Sequence, residues 1–107
     1  MKPFDNNHPA RILIAEPNLA HREELQQILC SAGYDLIAET ETSDNVVRLT
    51  RLLRPDILII SNALQPQGGT TVAKEVLEKR LAPVILTLED VTPEIVRVAC
   101  AVGVTSL

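Results

Sequence analysis

Four short aliphatic runs punctuate the chain: "RILIAE" from Arg11, "DLIAE" from Asp35, "DILIIS" from Asp56 and "PVILTL" from Pro83. Amphipathic segments of helical length separate them. This alternation predicts repeated strand–helix–strand units and therefore a parallel sheet. Three of the runs are apolar at nearly every position, as central strands covered on both faces require. "DLIAE" is shorter and more polar, which places it at a sheet edge.

The segments between the runs have readable ends. Asn18 is expected to cap a first helix that turns Leu25, Ile28, Leu29 and Ala32 to one face and stops at Gly33. A second helix should begin near Ser43 or Asp44, bury Leu49, Leu52 and Leu53, and end by Arg54, because Pro55 disfavours helical geometry in the residue before it. Its Arg48, Arg51 and Arg54 read as a solvated face. A third runs from Thr70 or Thr71 to Arg80 after a flexible start at Gly68 and Gly69. Ala73, Val76 and Leu77 face inward there, and Glu75 is placed to pair with Lys79. A fourth is capped by Thr92, opens on Pro93, repeats Ile95, Val98, Ala99 and Val102, and ends at Gly103. "VTSL" then opens a fifth strand.

Right-handed crossovers make this an α/β fold, a flavodoxin-like doubly wound parallel sheet of order 2-1-3-4-5, with the fifth strand and fifth helix truncated. Residues 1–10 form an N-terminal arm and 11–107 a single domain. In such sheets function gathers at the carboxyl ends of the strands, near the point where strand order reverses. Here those ends are Glu16-Pro17 and Ser61-Asn62.

Composition narrows the chemistry. The 107 residues are 46% hydrophobic, yet Phe4 and Tyr34 are the only aromatics, so the core is aliphatic and base stacking has little to work with. A net charge of -4 argues against gripping nucleic acid or an anionic membrane through this domain. No apolar run approaches the roughly 20 residues of a membrane span, and the N-terminus lacks the apolar stretch of a signal peptide, so a cytoplasmic location is expected. Cys30 and Cys100 lack metal-ligand spacing and read as buried free thiols. His8 and His21 read as surface residues, with no histidine near a strand end. No metal and no cofactor are expected.

Ser61 invites an enzyme reading that its neighbours do not support. A nucleophile elbow needs Gly-x-Ser-x-Gly, whereas "LIISNAL" has Ile59 before the serine and no glycine after it. "QPQGG" has neither the lysine of a phosphate-binding loop nor the spacing of a dinucleotide fingerprint. A small-molecule-binding flavodoxin-like module would want an aromatic in these loops, and none is present. Phosphorylation of Ser61 by a kinase would require access to a residue seated at a sheet end.

From Arg11 to Leu107 the chain resembles the receiver domain of two-component response regulators, without gaps. The likeness is carried by "RILIAEPN", "LCSAGYDLIAE", "RPDILIIS", the Pro66 to Gly69 loop, "APVILTLED" and "ACAVGVTSL". In "EKRLAPVILTL" it is most similar to receivers of regulators that carry an ANTAR RNA-binding antitermination domain. The resemblance implies phosphoryl transfer to an aspartate ending strand three, with Mg²⁺ held by acidic residues after strand one. Position by position the chain departs from it. Ser61 stands at the phosphoacceptor position, Glu16 and Pro17 at the two acidic ones, and Leu88 where a hydroxyl residue ends strand four. Thr87 comes one place early and is expected on the opposite face from that position. The family's lysine after strand five would lie past Leu107, and the natural protein is expected to continue beyond it.

Pro17 and Ser61 remove two carboxylates from a site whose metal wants near-octahedral oxygen coordination. The expectation is therefore a degenerate, phosphorylation-independent pseudo-receiver that is not an enzyme, with Ser61 filling the former pocket as a small hydrogen-bonding residue. Its partners would be another protein or a second copy, met through helix four and the following strand. Contact with RNA or DNA would come only through an attached C-terminal domain, and none with membrane is expected. The alternatives are a phosphorylatable receiver with an atypical site and a small-molecule-binding module.

Overall fold

The computed structural model of the chain describes residues 9–87 and 105–106. In chain order these form β1 (Arg11–Ala15), α1 (Leu19–Ser31), β2 (Asp35–Thr40), a 3-10 turn (Ser43–Asn45), α2 (Val46–Leu53), β3 (Ile57–Ser61), α3 (Gly69–Glu78), β4 (Val84–Thr87) and β5 (Thr105–Ser106). Every strand pair is parallel and the order is β2-β1-β3-β4-β5, with β2 at the edge. The expected topology is borne out. The fourth helix predicted from Thr92 to Gly103 lies outside the described residues, as do Leu88, His8 and Cys100. Among the described residues no helix is long and apolar enough to cross a membrane.

The central strands β1, β3 and β4 are apolar along most of their length because both of their faces are covered. Ile12, Ile14 and Ile59 pack with Leu29 and Leu25 of α1 on one face. Leu13, Ala15, Leu58, Ile60 and Leu86 pack with Val46, Val72, Ala73 and Val76 of α2 and α3 on the other. Successive residues of a strand point to opposite faces, so β1, β3 and β4 each feed both clusters. A fully buried Leu or Ile contributes about 1.5–3 kcal/mol, so these two layers dominate stability.

Helix ends follow the sequence closely. The Asn18 side chain accepts the His21 backbone N–H at 3.0 Å, and Gly33 adopts φ +88° just beyond α1. Arg54 takes a left-handed conformation after α2, its N–H returning to the Thr50 carbonyl, immediately before Pro55. The exposed Lys79 to Glu75 pair closes at 2.7 Å.

Helix faces required correction. Ile28 is 57% exposed and Ala32 is also exposed, because α1 is rolled toward β2. Arg22 and Gln26 explain the roll: Arg22 approaches Glu39 and Glu41 at 3.9 and 3.5 Å, and Gln26 donates to Glu39. The inward seam is consequently Leu25 and Leu29 with these two polar residues beside it. On α2 the expected burial of Leu52 fails, the residue being 73% exposed, while Val46 and Thr50 are buried. Thr50 tolerates burial because its hydroxyl donates to the Val46 carbonyl at 2.7 Å, hiding its only polar group inside the helix. Cys30, expected to be buried, is exposed, since it lies on the outer side of the rolled α1.

The start of α2 is tied to the loop that follows β3. Buried Ser43 donates its backbone N–H to the Gln65 carbonyl at 2.8 Å, and its Oγ accepts the Gln67 N–H at 2.9 Å. Ser43→Ala leaves the Gln67 amide without this partner and should cost about 1–2 kcal/mol. Thermal unfolding reads this directly, and a midpoint equal to that of the parent would show the tie to be dispensable.

Candidate functional site at the carboxyl edge of the sheet

Three strands end side by side around the point where strand order reverses. Ala15 pairs with Ile60, and Ser61 with Thr87. The alternation that sends Ala15, Ile60 and Leu86 to the α2–α3 face sends Glu16, Ser61 and Thr87 to the α1 face. Glu16 and Ser61, the candidates read from the sequence, are thereby brought together. Thr87 joins them as the register partner of Ser61, which corrects the expectation that it faces away from the pocket: inter-strand register, not its place in the count along strand four, sets its side. Pro17 follows Glu16 and is half-buried. Leu88 lies outside the described residues.

Ser61 is buried, at 1% exposure. Its Oγ accepts the Ala63 N–H at 3.1 Å, and its carbonyl accepts the Leu64 N–H at 3.3 Å. The chain then crosses back to β4, where Asn62 N–H donates to the Thr87 carbonyl at 2.9 Å. Gly69 closes the other side: a Cβ built there would lie 1.9 Å from the Ser61 carbonyl oxygen. The first turn of α3 therefore rests on the backbone of the strand end. The sequence suggested a flexible start there, but Gly69 is buried and required.

Glu16 is buried to 4% exposure and is held on several sides. Its Oε2 accepts the Asn18 N–H at 2.9 Å, its backbone N–H donates to the Thr40 carbonyl at 3.0 Å, and its carbonyl accepts from Arg22 Nη1 at 2.9 Å. Its Oε1 lies 3.7 Å from His21 Nδ1. This corrects the expectation that no histidine falls near a strand end. Helix α1 starts so soon after β1 that its first turn folds back over the strand, and the Asn18 cap fixes that turn. A histidine six residues beyond the end of β1 was the available signal.

The geometry limits what the site can do. A serine becomes a useful nucleophile when a base activates it, and the hydrogen bond that Ser61 Oγ receives comes from a main-chain amide. The Mg²⁺ implied by the receiver resemblance does not fit the residues present. Glu16 is one carboxylate already engaged by an amide, Pro17 has no side-chain oxygen, and Ser61 offers only a neutral hydroxyl. Among the described residues no group of three or more His, Cys, Asp or Glu gathers in a metal-binding arrangement. Nor is any buried side-chain nitrogen or oxygen there left without a hydrogen-bond partner.

Comparison with known proteins gives a consistent answer. No family model matches the chain. The transcriptional regulatory protein PdtaR of Mycobacterium tuberculosis is 32% identical over 78 residues, which is 73% of this chain and 38% of that protein. The chain thus spans well under half the length of this relative. Among solved structures, the signal receiver domain of a modulated diguanylate cyclase from Desulfovibrio desulfuricans G20 superposes with a TM-score of 0.85 at 25% identity, covering 92% of this chain and 80% of that one. A CheY-like response regulator receiver domain protein from Methanospirillum hungatei JF-1 gives 0.82 at 18% identity, covering 92% and 78%.

Proposed function

This chain is a homologue of a transcriptional regulator and has the receiver fold of two-component response regulators, and from that premise we propose that it is a pseudo-receiver whose signalling does not depend on phosphorylation. One observation carries the reading. At the position where a receiver presents its phosphoacceptor, a buried serine is engaged by the Ala63 amide beside a single carboxylate. The scaffold is kept and the acceptor is replaced by a residue that closes the strand end.

Without phosphoryl transfer, a signal must arrive as binding energy that differs between conformations. The proposed input is therefore a partner protein or self-association through the segment 92–103 and the strand after it. The proposed output is control of transcription or antitermination by an attached domain, in keeping with the regulatory relative and its greater length. The domain itself carries out no catalysis in this account, and a cytoplasmic location goes with it.

The metal side of this proposal has its own test. Isothermal titration should give no Mg²⁺ binding tighter than millimolar, because only Glu16 supplies a carboxylate where the family places its metal ligands. A stoichiometric, tighter isotherm abolished by Glu16→Gln would contradict the proposal and favour a phosphorylatable receiver with an atypical site.

A further inference from the structure

The β2 edge carries two surfaces that the strand-end site does not use. The first is on α2, where Val47 packs into the cluster shared with α3. Leu52 lies about 140° around the helix from Val47 at 3.6 residues per turn, hence on the flank turned from α3 toward β2. It is the most exposed large hydrophobic residue among those described. Arg48, one turn earlier, and Arg51, next to it, are exposed as well. Arg48 donates to Asn45 Oδ1 at 3.2 Å, and neither arginine enters an ion pair among the described residues.

The second surface is an open groove of about 620 Å³ between α1 and the end of β2, lined in part by Leu19, Arg22, Glu23, Glu39 and Glu41. Its three carboxylates face one guanidinium, so the groove is acidic, and Leu19 gives it an exposed apolar floor. Strand β2 itself is a poor template for adding another strand. Its register shifts around Ile37, where Leu36 and Ala38 pair with successive residues of β1, and Asp35 and Glu39 are charged. Bulges and charges of this kind blunt an edge, leaving side-chain packing as the way to cover it.

We propose that two copies of this chain associate through their β2 edges about a two-fold axis perpendicular to the edge, each seating Leu52, flanked by Arg48 and Arg51, against the acidic groove of the other. Knob and groove lie on the same edge but on opposite faces of the sheet and toward opposite ends of its strands, so a two-fold axis perpendicular to the edge carries each onto the other and the assembly closes as a dimer. An apolar anchor rimmed by complementary charge is the usual anatomy of an interface. The chain is acidic overall, so the arginines of α2 find their complement on another copy of the same molecule. This surface is separate from segment 92–103 and does not rest on the pseudo-receiver reading.

Sedimentation equilibrium of the chain from about 10 to 300 μM should show a monomer–dimer exchange, the micromolar range expected of a small, charged interface. Raising salt from about 50 to 500 mM should weaken it several-fold by screening. Leu52→Ser should weaken it about tenfold or more, as loss of a central apolar anchor does. Arg51→Glu and Glu23→Arg should each weaken it, and the two together should recover most of the loss because the charge pair is rebuilt with its sign reversed. All three side chains are exposed, so unchanged circular dichroism and melting separate lost association from lost folding. A monomer throughout the range would overturn the proposal. So would a dimer indifferent to salt and to Leu52→Ser, which would place self-association on another face.

Discussion

Gly69→Ala should lower stability by about 2–4 kcal/mol, within the upper range for overpacking a buried position. The added methyl would start 1.9 Å from the Ser61 carbonyl oxygen and 2.6 Å from its carbon. Neither atom belongs to a side chain that can rotate away, since Ser61 is fixed in the sheet by pairing with Thr87. Relief requires moving α3 off the end of β3, which loosens Val72, Ala73 and Val76 in the core. Alanine is the better helix former by up to about 1 kcal/mol, a gain too small to offset the clash. For a domain of this size the melting temperature should fall by roughly 10–20 °C. Gly68→Ala is the matched control, because a Cβ there meets nothing within 4 Å. It should cost less than about 1 kcal/mol, the scale of a changed helix cap. Equal melting temperatures for the two variants would mean that α3 does not rest on the strand end.

Ser61→Asp is the second substitution with a large expected effect. The register places residue 61 beside Glu16 on the same face of adjacent strands, both buried. Two carboxylates so placed repel one another, and among the described residues no group of three or more His, Cys, Asp or Glu gathers to hold a cation between them. The variant should lose about 1–3 kcal/mol at neutral pH, with part of that recovered as pH falls and one of the pair takes up a proton. The sign is that of a carboxyl group whose proton affinity is raised on folding: the penalty is largest where both groups are ionised. Mg²⁺ at millimolar concentration should restore little of it, because Pro17 still contributes no oxygen. Denaturant unfolding at two pH values, with and without Mg²⁺, measures all of this. A variant as stable as the parent at neutral pH would show that the two positions do not share a pocket.

Much of this architecture was legible in the order of residues, for reasons the structure makes plain. Continuous apolar runs announced strands with two covered faces, and Asn18, Gly33 and Pro55 marked helix ends through local backbone chemistry that needs no tertiary information. Faces of helices were harder. Ile28 and Leu52 look like core residues by periodicity, but the tethers from Arg22 and Gln26 to β2 roll α1, and Thr50 hides its hydroxyl within α2. Both effects depend on partners distant in sequence or on a bond invisible in a hydrophobicity pattern. The site divided in the same way. Glu16 and Ser61 were found because strand ends can be counted. The approach of His21 depends on how sharply α1 turns back, and the match of Thr87 to Ser61 depends on inter-strand register. Gly69 was read as freedom where the structure uses it as room.

The central claim, that the strand-end pocket has lost phosphoryl chemistry and not merely one residue of it, is tested most directly by intact mass spectrometry. The parent chain and Ser61→Asp would each be incubated with acetyl phosphate and Mg²⁺. Transfer needs a nucleophile together with a cation that neutralises charge building on the phosphoryl oxygens, and Ser61→Asp restores the nucleophile and one metal ligand while Pro17 still contributes no oxygen. Both proteins should therefore keep their starting mass. A phosphoryl-sized increment on Ser61→Asp would show that the pocket is a single substitution from function, and the same increment on the parent would contradict the pseudo-receiver account outright.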